Sequence, residues 1–167
     1  MDDQDVVARQ LGRRPRAFGR VAVRCPFGCP AVTEQAPYGP GGEPFPTMYY
    51  LTCPRLVREV SRLEAAGGVE RWSARVAADV ILARDLERAT DEQAVLRTAL
   101  AGGQCGRDDG ASLGTGIAGS RSPLALKCLH AHAAFALARP GYLVGEAILD
   151  ELSGRWPAAR CCMEDTG

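Results

Sequence analysis

Seven cysteines and two histidines are the residues of this chain with the most chemistry to offer. The thiols are Cys25, Cys29, Cys53, Cys105, Cys128, Cys161 and Cys162, and the imidazoles are His130 and His132. Thiolate and imidazole are the donors zinc prefers, four of them in a tetrahedron at a structural site. A thiolate beside a cation or a general base is also a nucleophile. Two stretches hold the chemistry most tightly: "GEPFPTMYYLTCPRL" at 42–56, which ends an apolar run on Cys53, and "KCLHAH" at 127–132, which sets sulfur beside imidazole.

Cys25, Cys53, Cys128 and one histidine would complete a tetrahedral set, with Cys161 as a spare or replacement ligand. The choice of histidine depends on where the helix around them starts. Cys128 and His132 are four apart and share a face of a continuous helix. Cys128 and His130 converge only if the helix begins later, with "KCLH" extended or in its first turn. The runner-up chemistry makes Cys53 or Cys128 a nucleophile with His130 as base and Lys127 as the cation that activates the thiol. Glu43, Glu64 and Glu146 are the carboxylates that could orient the imidazole, although Glu64 in "SRLEAAGG" reads as a solvated helix residue. An iron–sulfur cluster would ordinarily want four thiolates.

The elements that carry these groups follow from the residue pattern. Residues 2–12 form a short amphipathic helix, and Arg9, Arg13, Arg14, Arg16 and Arg20 make the basic N-terminal arm, placed at 1–17 and read as solvated. "RVAVRC" alternates as a strand, "PFGCP" turns, "AVTEQ" is a second strand and "TMYYLTC" a third. Cys25 and Cys53 then end neighbouring strands, which would bring their sulfurs close. Pro54 suits a first helical turn, and Leu56, Val57, Val60 and Leu63 share one helical face before Gly67 and Gly68 stop it. "VERWSARVAADVILARDLERA" continues helically, and a separate short helix begins at Thr90 or Asp91. Residues 102–122 read as a flexible Gly/Ser-rich loop. Its "GTGIAG" lacks the preceding strand a dinucleotide fingerprint needs. A helix over 123–138 and a last amphipathic helix in "YLVGEAILDEL" complete an α+β chain, a three-stranded antiparallel sheet packed against four or five helices.

Composition bounds the function. At 167 residues the chain suits a single domain, 1–167, with 46% hydrophobic and 24% charged residues. Twenty basic and twenty acidic residues cancel, so no field draws the chain to nucleic acid or an anionic membrane. No apolar run is long enough to span a bilayer. The acidic start "MDDQDVVARQ" is unlike a secretory signal. The expected location is the cytoplasm, where thiols stay reduced, and the odd cysteine count argues against a disulfide framework. Nineteen of the twenty basic residues are arginine, and the single lysine, Lys127, directly precedes Cys128.

Taken in order, "RCPFGCPAV", "PFPTMYYLTCPRL", "SRLEAAGG" and "KCLHAH" resemble the bacterial domain of unknown function 501 family. The resemblance covers about 18–68 and 123–161 and matches Cys25, Pro44, Phe45, Pro46, Thr47, Leu51, Thr52, Cys53, Pro54, Leu63, Glu64, Lys127, Cys128, Leu129 and His130. Cys161 or Cys162 fills a cysteine position near the C-terminus. It implies that His130 rather than His132 is the nitrogen ligand, that "KCLH" lies at or before a helix start, and that Cys29, Cys105 and His132 are dispensable. This chain has "RPGYLVGEA" where the family usually carries Asn-Pro before the glycine. The resemblance implies no activity. Three classes follow: a zinc-bound binding or scaffold protein, a metal- or thiol-dependent enzyme, and a simple interaction protein whose partner meets the basic arm or the last helix.

Overall fold

The alternation in the first third of the chain does produce a sheet. In the computed structural model, which describes residues 1–165, β1 (Phe18–Arg24), β2 (Pro30–Gln35) and β3 (Tyr49–Leu51) form a three-stranded antiparallel sheet in the order β1-β2-β3. Central β2 is buried along its whole length, so its polar side chains need partners. Glu34 receives two hydrogen bonds from Arg20, at 2.9 and 2.8 Å, and Gln35 donates to Thr33 Oγ1 at 2.5 Å. One expectation changes here. The strands that end at Cys25 and Cys53 are not neighbours: β1 and β3 flank β2 and run in the same direction. Both finish where β2 starts, since Arg24 pairs with Pro30 and Leu51 with Val32. The N–H groups of Thr52 and Cys53 then converge on the Ala31 carbonyl, at 2.9 and 3.3 Å.

α1 (Asp3–Leu11) is capped by Asp2, whose side chain accepts from the Asp5 N–H. Val7 is buried, and Gln10 donates to the Pro30 carbonyl at 2.8 Å, which seats α1 beside β2. α2 (Pro54–Ala65) follows Cys53 at once, with Pro54 in the first turn, where a missing N–H costs nothing. α3 (Gly68–Ala78) and α4 (Val80–Ala101) depart from the expected division of this region, a helix from Val69 followed by another from Thr90 or Asp91. The break falls at Asp79. Its extended backbone ends α3, and its Oδ1 accepts from the N–H groups of Ile81 and Leu82, which starts α4. Past it, Leu82, Leu86, Ala89 and Gln93 keep one buried face through Thr90.

α5 (Leu129–Ala138) starts six residues later than the expected Pro123. Cys128 is extended, with φ −154°, and the first helical N–H, that of Leu129, goes to Glu64 Oε1 of α2 at 2.6 Å. A carboxylate borrowed from another helix sets this boundary. "KCLH" therefore straddles a helix start, as the resemblance implies. α5 is the central element: Leu129, Ala131, His132, Ala133, Ala134, Phe135 and Ala136 are all buried. Phe135 meets Tyr49 of β3 and Tyr142 edge-on, with centroids 5.6 and 5.4 Å apart. α6 (Leu143–Asp150) closes on α5.

Between α4 and α5 the glycine-rich stretch holds two short 3-10 turns, Ala111–Gly114 and Ile117–Gly119. Arg107 donates to the carbonyls of Gly42 and Gly41, and Gln93 donates to that of Thr115. A last 3-10 turn spans Cys162–Asp165. Among the described residues no helix is long and apolar enough to cross a membrane.

Candidate metal centre

The turn that follows β1 supplies two sulfurs. In "CPFGC" the Cys25 N–H donates to the Cys29 carbonyl at 2.8 Å, and the Gly28 N–H donates to the Cys25 carbonyl at 2.9 Å. Closing so tight a loop requires a left-handed residue, and Gly28 has φ +84°. The third sulfur comes from the other end of the chain. The Sγ atoms of Cys25, Cys29 and Cys161 all lie within 4.8 Å of one another, and Cys25 to Cys161 is 3.9 Å. Zinc–sulfur bonds of about 2.3 Å in a tetrahedron place neighbouring sulfurs about 3.8 Å apart. The trio is thus arranged so that it could hold a metal ion.

A second thiol pair adjoins the first. Cys53 Sγ lies 3.8 Å from Cys162 Sγ. Cys162 follows Cys161 directly, so their Cα atoms are only about 3.8 Å apart. The two consecutive C-terminal cysteines meet the same end of the sheet, Cys161 at the β1–β2 turn and Cys162 at the β3–α2 junction.

Burial disfavours the thiolate at Cys161 and Cys53. It pushes the Cys161 thiol up to about 12; the Met163 amide opposes the rise, and the neighbouring Cys29 and Cys25 add to it. It likewise pushes Cys53 up to about 11, against the amides of Leu56 and Arg55 in the first turn of α2 and with a further rise from Cys162. Metal binding at such a site must displace protons.

Cys128 and His130 lie elsewhere, at the start of α5 against α2. Burial also raises the Cys128 thiol, against the amides of Ala131 and His130. His130 Nδ1 is 3.1 Å from Glu64 Oε1, and its Nε2 is 3.2 Å from Ser61 Oγ and 3.3 Å from the Val57 carbonyl. Both ring nitrogens thus meet oxygen rather than sulfur. Glu64 is not the solvated residue its sequence context suggests: it is half-buried and binds both His130 and the first N–H of α5. The Ser61–His130–Glu64 chain has the bonding order of a hydrolytic triad. Ser61, however, sits inside α2, where backbone N–H groups are spent on the helix and none is left to receive an oxyanion. The chain ties α2 to α5.

The remaining groups scatter. His132 is fully buried, and its Nδ1 is 2.8 Å from Tyr142 Oη. Lys127 is exposed and lines a cavity beside the glycine-rich stretch. Cys105 is exposed on that stretch. The structure therefore brings Cys25 and Cys161 together with Cys29, sets Cys53 beside Cys162, and places Cys128 and His130 in the α2–α5 contact. The structure adds Cys29, which the resemblance implied was dispensable, and Cys162, which was named only as an alternative to Cys161. The C-x3-C spacing carried a signal for the first, while the second shows only in three dimensions.

Residues 21–150 match the model of a family described as "Protein of unknown function (DUF501)". Cys25, Cys29, Cys53, Cys128 and His130 fall inside the match, and Cys161 and Cys162 beyond it. No curated protein and no solved structure matches the chain.

Proposed function

We propose that this chain, which belongs to the family of proteins of unknown function DUF501, is a cytoplasmic zinc-binding protein whose metal staples its C-terminal segment to the sheet. The observation that carries the reading is the meeting of Cys161 with Cys25 and Cys29, across 136 residues of sequence in the first case. Soft thiolates in a reducing compartment favour zinc. The fourth position falls to Cys162, next in sequence to Cys161, or to Cys53, whose Sγ lies 3.8 Å from that of Cys162.

A staple is what this end of the chain needs. After α6, residues 151–161 contain no helix or strand. They are held by scattered contacts such as Arg55 donating to the Ser153 carbonyl at 3.0 Å. Cys161 ends that run, buried against the sheet. A metal there would add the binding free energy of the site to folding, on the order of 10 kcal/mol for structural zinc. The role that follows is a binding or scaffold protein held in shape by its metal. The alternative, an enzyme using Cys53 or Cys128 with His130, has less support. Both thiols are raised rather than activated, and the His130 nitrogens are taken up by oxygen partners.

Elemental analysis of protein purified without chelator tests the proposal. About one zinc per chain is expected for the wild type and for Cys105→Ser, and a large loss for Cys161→Ser. A folded wild type without metal would overturn it.

A further inference from the structure

The pair formed by Cys53 and Cys162 offers a second chemistry at the same end of the sheet. Their sulfurs lie 3.8 Å apart, in contact, although 109 positions separate them in sequence. Each side chain is set by an element: Cys53 immediately precedes the first turn of α2, and Cys162 opens the last 3-10 turn. They differ in access. Cys53 is 3% exposed, whereas Cys162 is only half-buried. A small oxidant therefore meets Cys162 first, with Cys53 in contact behind it. That is the arrangement of an oxidisable thiol with its resolving thiol.

The other thiols fit this chemistry less well. Cys25 and Cys161 are 3.9 Å apart, but both are buried. Cys105 is exposed, and its sulfur meets the Gly103 carbonyl rather than a thiol. Cys161 is a poor partner for its neighbour Cys162, because consecutive Cα atoms stand only about 3.8 Å apart, below the usual span of a disulfide.

We propose that hydrogen peroxide closes a reversible disulfide between Cys53 and Cys162, and that closing it takes the fourth ligand from the metal and releases zinc. The release half rests on the zinc reading above; the disulfide half stands on the thiol pair alone. The Cys162 sulfur attacks one peroxide oxygen and breaks the O–O bond, leaving a sulfenic acid and one water. The Cys53 sulfur then attacks the sulfenic sulfur, forming the S–S bond and expelling the hydroxyl as a second water. The proton of each thiol, or one from solvent where zinc has displaced it, leaves in a water. Two thiols thus give two electrons to one peroxide. Whichever of the pair serves as fourth ligand, the disulfide consumes it. The new bond also holds the C-terminal segment to the start of α2 after the metal has gone. Transient disulfides in a reducing compartment are characteristic of oxidant sensing.

The test treats the full chain, purified without chelator, with hydrogen peroxide. Tandem mass spectrometry maps the disulfides, and a colorimetric chelator reads the zinc released. A link between Cys53 and Cys162 is expected as the main intramolecular product, reversed by dithiothreitol, with zinc released in step with it. In Cys53→Ser, which lacks the resolving thiol, Cys162 should pass on to sulfinic acid about five-fold or more above the wild-type level. Cys29→Ser, which the zinc reading strips of metal, should still form the link, so the two claims fail separately. Absence of the link from folded wild type, or Cys162 sulfinate no higher in Cys53→Ser, would overturn the disulfide. Zinc retained by linked chains would overturn the release. Untreated folded wild type without zinc would overturn the release and the zinc reading together, while the map still decides the disulfide.

Discussion

Single side chains in this protein carry consequences well beyond their own surroundings. Glu64 accepts the Leu129 N–H at 2.6 Å and meets His130 Nδ1 at 3.1 Å, so it acts as the N-terminal cap of the central helix from a distance. Replacing it by alanine should cost about 1–2 kcal/mol, the range of a lost cap with its charge, measurable by urea denaturation. Glu64→Gln should lose less, because the amide oxygen can still accept. His132 makes a different prediction, in pH. Burial lowers its pKa from 6.5 to about 3, so between those values the unfolded chain binds a proton that the folded chain does not. The contribution is complete above about pH 6.5 and is lost as pH falls toward 3, at up to about 1.4 kcal/mol per pH unit. Urea midpoints between pH 7 and pH 5 should fall accordingly, and His132→Gln should flatten that slope.

At the scale of elements, α5 and α6 approach closely at Gly145. A Cβ on Gly145 would lie 2.6 Å from the Ala136 Cβ and closer still to the His132 carbonyl. Gly145→Ala should therefore force the two helices apart and cost about 1–3 kcal/mol, as overpacking does; the thermal midpoint checks it. This scale also shows what sequence could and could not convey. The three strands were legible because alternation and β-branched residues act locally, as in "RVAVR" and "TMYYL". The start of α2 was legible because Pro54 suits a first turn. The α3–α4 break was not. Asp79 sits inside an uninterrupted helical pattern, and only its cap bonds to Ile81 and Leu82 reveal the boundary. The late start of α5 was hidden from any local reading, because its cap is a residue 65 positions away; only the family resemblance pointed to it. Of the candidate site, Cys25, Cys53 and Cys161 were singled out by type and by resemblance. Cys29 was signalled by its C-x3-C spacing from Cys25, whereas the meeting of Cys162 with Cys53 depends on where the C-terminal segment returns, which no spacing encodes.

Over the whole molecule, the C-terminal segment returns to one end of the sheet, where β2 starts. β1 and β3 run in the same direction and deliver Cys25 and Cys53 to the start of β2. The C-terminal segment then lays Cys161 and Cys162 against them. A metal at this junction links first strand, turn and C-terminus, so its removal should loosen the C-terminal segment before the helical core. Chelation should thus expose residues 151–161 to proteolysis while α5 and α6 keep their protected amides in hydrogen exchange. Protection lost uniformly across α5 and the C-terminal segment would instead make the metal a condition for the entire fold.

The proposed metal is held by the thiols of Cys25, Cys29 and Cys161. The most direct measurement is zinc per chain in Cys29→Ser set beside His130→Ala, both purified without chelator and both confirmed folded. Cys29→Ser should lose most of its zinc while His130→Ala keeps about one ion per chain. Zinc retained in Cys29→Ser and lost in His130→Ala would contradict that assignment and move the site to the start of α5.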